Sequence, residues 1–125
     1  LAARKGLPRL RALFSSSLAH IGEPQLAGCF YISCAAEYDD RPGPLRHELT
    51  SGVLAWRALF EQSVAQAVEL GQLAASADTG QMVFEIYALL LAVQHDMRLL
   101  ERSGSVLQAQ QAFEHILQRH SADAA

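Results

Sequence analysis

The chain has 125 residues, half of them hydrophobic and 18% charged, with a formal net charge of −3. That length and apolar content suffice for one domain with a real core and are too apolar for a disordered chain. No apolar run approaches the roughly 20 residues of a membrane span, no signal peptide is visible, and a mainly acidic chain is a poor nucleic-acid binder by itself.

Charge is unevenly placed. Arg4, Lys5, Arg9 and Arg11 all precede the first acid, Glu23. Such a basic leading edge fits either a nucleic-acid-facing segment upstream or, more simply, a solvated helix face. The first residue is leucine, so the chain is expected to be a fragment of a longer protein.

From Ala2 to Ile21 the residues Leu7, Leu10, Leu13, Phe14, Leu18 and Ile21 recur at helical steps, and Gly22, Glu23 and Pro24 stop the helix. Pro8 would kink a helix arriving from upstream and suits the first turn of one that starts here. Leu26 to Tyr38 is apolar and ambiguous. Phe30, Tyr31 and Ile32 have strand character, but a lone strand would lack a partner, and Ala35 and Ala36 favour a short buried helix. Cys29 and Cys34, five apart, point to different sides of such a helix. They read as buried free thiols suited to a reducing cytoplasm.

Asp39 to Pro44 is a loop, in which each proline holds the residue before it extended and Pro44 sits where a helix can begin. Leu45 to Leu73 reads as one long helix with the stripe Leu45, Leu49, Val53, Trp56, Phe60, Val64, Ala67 and Leu70; Arg57, Glu61 and Glu69 lie off it. Asp78 is a good N-cap for the next helix, with Gln81 three residues on. The stretch Gln81 to Arg102 is apolar on nearly every side. Met82, Ile86, Leu89, Val93 and Leu100 make one face, and Phe84, Tyr87, Leu90, Leu91 and Met97 much of the rest. A helix against one core needs one apolar stripe, so this one is expected to face its own core on one side and another subunit on the other. Gly104 ends it. Ser105 to Arg119 forms the last helix, with the stripe Val106, Ala109, Phe113, Ile116 and Leu117, and the remaining tail is expected to be disordered.

No phosphate-binding glycine loop, HExxH or paired CxxC occurs. The five histidines never pair at i+3 or i+4, so no metal site is expected, and no nucleophile or acid–base constellation marks a catalytic residue. What remains is polar groups within apolar stretches: His20, Tyr31, Trp56, Tyr87, Gln94 and His95. Ligand sites are largely apolar with a few convergent polar groups. His20, Tyr31, Trp56, Tyr87 and Gln94, with Phe60, are therefore the candidate ligand-binding residues, the plainer alternative for each being a satisfied core or interface side chain. The candidate subunit contact is Tyr87, Leu91, His95, Val106, Phe113, Ile116 and Leu117, where polar groups would help fix register.

Several segments resemble the C-terminal domain of TetR/AcrR-family transcriptional regulators. These are Gly28-Cys29-Phe30, the run Ala35 to Arg46 with its Asp-Asp-Arg-Pro-Gly-Pro centre, Trp56, the run Ala67 to Gly71, and Asp78 opening a long apolar helix. The likeness runs from about Leu10 to Leu117, and the acidic-Arg-Pro-Gly-Pro segment is its most specific part. The resemblance implies an all-helical regulatory domain that binds a small molecule between its helices. It also implies a homodimer in which the last two helices of each subunit form a four-helix bundle, and an N-terminal helix-turn-helix domain outside this chain.

The expectation is thus a single all-α domain over residues 1–125 with about five helices, acting as the effector-sensing and homodimerisation part of a cytoplasmic, bacterial TetR-like repressor. Its partners would be a second copy of itself and a small apolar or aromatic effector. DNA would be reached only through the N-terminal domain, with no membrane and no cofactor involved. The rivals are a helical dimeric scaffold or adaptor without a ligand, and an enzyme with a buried helical active site, which the missing catalytic constellation disfavours.

Overall fold

The computed structural model describes residues 3–22, 37 and 40–122. Among these residues the chain forms four α-helices and no strand: α1 (Leu7–Gly22), α2 (Pro44–Glu69), α3 (Thr79–Arg98) and α4 (Ser105–Arg119). The short helix expected over Leu26–Tyr38, and with it Tyr31 and both cysteines, lies outside the described residues, Glu37 apart.

Several helix boundaries have an identifiable cause, some local and one from a distant loop. The first helix starts at Leu7 rather than Ala2, with Pro8 in its first turn, where a missing amide proton costs nothing. Gly6 precedes it at φ +88°, and the Leu7 amide donates to the side-chain oxygen of Gln72 at 2.8 Å, so the cap comes from a loop 65 residues away. Pro44 opens α2, following Gly43 at φ 143° and ψ −176°, a region essentially confined to glycine. This helix ends at Glu69, short of the expected Leu73. Gly71 turns to φ +75°, and the Gly71 and Gln72 amides bond back to the Val68 and Ala67 carbonyls at 3.0 and 2.9 Å. That pattern is a Schellman stop, which the Ala67–Gly71 sequence encodes through its glycine.

The expected N-cap of α3 is present: the Asp78 carboxylate accepts from the Gln81 amide at 3.0 Å. The helix stops at Arg98, not Arg102, because the chain reverses on itself. Glu101 adopts φ 55°, the Arg102 amide reaches the Asp96 carbonyl at 2.9 Å, and the Asp96 carboxylate accepts from the Ser105 hydroxyl at 3.0 Å.

The core lies where the four helices meet. Leu10, Phe14 and Ile21 of α1, Phe60 and Val64 of α2, Ile86 and Leu90 of α3, and Phe113 of α4 are buried in one cluster. Each such side chain contributes about 1.5–3 kcal/mol by leaving water. The Phe14 and Phe113 rings stack in parallel with centroids 4.1 Å apart. Next to them the Arg11 guanidinium makes a two-pronged bond to the Glu114 carboxylate at 3.0 and 3.1 Å. The first and last helices are therefore joined directly, although they are about 100 residues apart in sequence. The α2–α3 connection is pinned to the end of α4 by a single antiparallel bridge, Leu73 to Ser121, and by the Ala74 amide on the His120 carbonyl at 2.9 Å. Among the described residues no helix is long and apolar enough to cross a membrane.

Candidate functional site

Three of the candidate ligand-binding residues come together. Trp56 and Phe60 are one turn apart on α2, and Tyr87 faces them from α3. The Trp56 ring meets Phe60 edge-on at 6.1 Å and Tyr87 edge-on at 5.5 Å. Phe60 is fully buried, while Trp56 and Tyr87 are half-buried. Edge-to-face pairs of this kind favour one another through the ring quadrupoles. Gln94 is buried two turns further along α3 and is not without a partner. His20 sits exposed near the end of α1, and Tyr31 is outside the described residues, so neither is placed in this cluster.

Sequence reading missed Arg57. It lies off the apolar stripe of α2 and reads there as a solvated cation, yet it is half-buried with its guanidinium carbon 4.8 Å from the centre of the Tyr87 ring. Its Nε is buried and finds no hydrogen-bond acceptor. A cavity of about 260 Å³ opens beside it between α2 and the start of α3, lined by Arg57, Glu61, Thr79, Gly80 and Val83. The only sequence cue was a cation directly after a tryptophan, at the flank of a helix whose partner was unknown.

The candidate subunit-contact residues divide into two groups. Leu91 and His95 are exposed on the outer side of α3, together with Phe84, which sequence reading placed on that helix but not in the contact. Phe84 is 61% exposed and Leu91 40%. Phe113, Ile116 and Leu117 instead turn into the subunit's own core, Phe113 being 3% exposed under Phe14. The reason is that α4 has a single apolar stripe and the core takes it. Val106 is half-buried against the same core, and Tyr87 is held between Trp56 and Arg57.

The outer seam of α3 and α4 holds two shallow grooves of about 380 and 250 Å³ that share Leu89 and Ala112. Small residues (Ala88, Ala92, Ala109 and Ala112) form much of their floor. Arg119 pairs with Glu85 at 2.8 Å along one groove, and Arg102 with Asp96 at 3.6 Å beside the other. Among the described residues no three His, Cys, Asp or Glu side chains gather as a metal site.

Residues 6–113 match the family model described as the tetracyclin repressor-like C-terminal domain. Among curated proteins none matches the chain.

Proposed function

The chain belongs to the tetracyclin repressor-like C-terminal domain family, and on that footing we propose that it is the effector-sensing and dimerising domain of a transcriptional repressor. The family match over residues 6–113 is the observation that carries this reading. Two structural features support it. The packed aromatics Trp56, Phe60 and Tyr87 adjoin Arg57, which lines a cavity with Glu61, Thr79, Gly80 and Val83, a mixture of apolar and polar groups such as small-molecule sites use. Beyond that, α3 fills the core with one side and leaves Phe84 and Leu91 uncovered on the other.

In this reading α3 and α4 of two copies pack as a four-helix bundle, with Phe84, Leu91 and His95 at its centre and the alanine-floored seam receiving the partner's side chains. Close approach over small residues suits such packing. An N-terminal helix-turn-helix domain would precede α1, and two of them must reach half-sites about 34 Å apart on DNA. Effector bound near Trp56 and Tyr87 would shift α1 and carry the two DNA-binding domains out of spacing. It can do so only to the extent that it binds one arrangement more tightly than the other.

The test is a thermal-shift screen of the chain against small apolar and aromatic molecules, with sedimentation of the same sample. A ligand at a hundred times its dissociation constant adds about 2.7 kcal/mol of stability. A two-chain species whose melting temperature rises with a ligand is the expected result. A dimer that answers to no ligand would favour a helical scaffold instead.

A further inference from the structure

Three side-chain atoms among the described residues are buried without a hydrogen-bond partner: Arg9 Nε, Arg57 Nε and Gln66 Oε1. Of these residues Arg57 is the one that lines a described cavity. Buried polar groups in native structures are nearly always satisfied, so an exception at a cavity wall asks for a missing partner. The Arg57 guanidinium carbon lies over the Tyr87 ring at 4.8 Å from its centre, and Trp56 meets the same ring edge-on at 5.5 Å. An arginine in such a contact still has in-plane N–H groups with which to bind an acceptor. Glu61, one turn further along α2, lines the same cavity, yet the two form no ion pair. Arginine preceding glutamate by four residues is the weaker orientation for such a pair on a helix. The cavity is therefore lined by one cation and one anion, together with Thr79, Gly80 and Val83.

We propose that the effector is a compact carboxylic acid that also carries a hydrogen-bond donor, an amine or a hydroxyl, and that Arg57 holds its carboxylate while Glu61 accepts from the donor. The planar fork of arginine matches two carboxylate oxygens, and hydrogen bonds between charged groups are about twice as strong as neutral ones. A cavity of about 260 Å³ has room for one ring bearing a carboxylate, since an engineered cavity of about 150 Å³ holds benzene. The mixed lining narrows the apolar or aromatic effector expected from sequence to a molecule that is anionic at one end. This inference rests on the sensor reading above and specifies its ligand.

The experiment is calorimetric titration and thermal shift of the 125-residue chain with two sets: 2-hydroxy and 2-amino acids carrying side chains up to a phenyl ring, each beside its carboxamide, which lacks the carboxylate, and beside the acid without the 2-substituent; and neutral aromatic compounds of similar size. Both sets are repeated on Arg57→Gln, Arg57→Lys and Glu61→Gln. At least one acid should bind wild type at least tenfold more tightly than its carboxamide. Arg57→Gln should weaken that acid roughly 10- to 100-fold and erase the preference. Arg57→Lys, which keeps the charge without the fork, should weaken it less while melting like wild type, and it decides the matter if Arg57→Gln proves unstable. Glu61→Gln should retain the preference for acid over amide and lose the preference for a hydroxyl or amine over the unsubstituted acid. An acid bound no better than its amide, or bound equally by the Arg57 variants, overturns the inference. If neutral aromatic compounds bind and no acid does, the sensor reading stands and this inference fails; if nothing in either set binds, both fail.

Discussion

Single residues in this domain act across long sequence distances. Gly6 sits at φ +88°, and a β-carbon there would collide with the Gln72 side-chain oxygen that caps α1. Gly6→Ala therefore combines backbone strain with loss of the cap and should cost about 1–3 kcal/mol in urea denaturation, whereas Gln72→Ala, which loses one hydrogen bond, should cost about 0.5–1.5 kcal/mol. Phe113 carries the link between first and last helices through its stack on Phe14. Phe113→Ala should lower stability by about 3–5 kcal/mol, as other buried phenylalanines do. The neighbouring Arg11–Glu114 pair contributes far less, since both side chains are nearly half exposed. A double-mutant cycle on it should return no more than about 1 kcal/mol and shrink in high salt. The Glu114 hydrogen bond raises the Arg11 guanidinium further above its ordinary value. A raised basic group adds stability at every pH below its unfolded value, so this pair should impose no pH dependence from the arginine side across the range in which proteins are handled.

At the level of elements, the start of α3 and the end of α2 are set by short-range chemistry, whereas the start of α1 depends on distant Gln72 and the helix faces on their partners. Asp78 accepts from the Gln81 amide at the start of α3. Asp78→Ala should cost about 1 kcal/mol, read as a lower midpoint with an unchanged denaturant slope. The same helix is where two-sided apolarity has its effect. Met82, Ile86, Leu90 and Val93 are buried, while Phe84 and Leu91 remain uncovered. In α4 the balance differs: the stripe of Ala109, Phe113, Ile116 and Leu117 is taken by the core, and the rest of the helix is mainly polar apart from the exposed Leu107 and the half-buried Ala112. A charge at Phe113 would therefore unfold the subunit before it could report on any contact between subunits.

For the whole molecule, two features bear on function: the outer side of α3, with Phe84 and Leu91 exposed, and the cavity at Arg57. Phe84→Glu should convert the proposed dimer to monomer in sedimentation velocity while leaving the helical circular-dichroism signal of the subunit intact; an undiminished dimer would place the contact elsewhere. The coupling of α1 to α4 has a consequence for signalling. The N-terminal half of α1 is fastened to Glu114, Phe113 and Gln72. Any effector-driven movement of α1 must then either turn about those contacts or carry α4 with it. Leu13 and Leu18 are buried on this helix. In the intact regulator, substitutions there should leave effector affinity in place and reduce induction in a reporter assay, and unchanged induction would count against transmission through α1.

The sequence by itself determined roughly where the four described helices lie and the caps that are local, while the bounds of α1, α2 and α3 shifted by several residues and the cap of α1 came from distant Gln72. Pro44 and Asp78 act within one turn of themselves, and the three- and four-residue steps of Phe14, Phe60 and Ile86 mark stripes without reference to any other segment. The family was legible for the same reason, in contiguous runs such as Asp39 to Arg46. The all-round apolarity of α3 also showed that one core could not cover it. What a stripe packs against is a property of two or more segments at once, and only the tertiary structure decided that. It sent Phe113, Ile116 and Leu117 inward to Phe14 and the core, and it left Phe84 outside. It also laid Arg57, which periodicity assigns to solvent, across the ring of Tyr87 beside an open cavity. A polar residue at the flank of an apolar stripe is solvated or enclosed according to the helix that arrives next to it, and no spacing along one chain records that arrival.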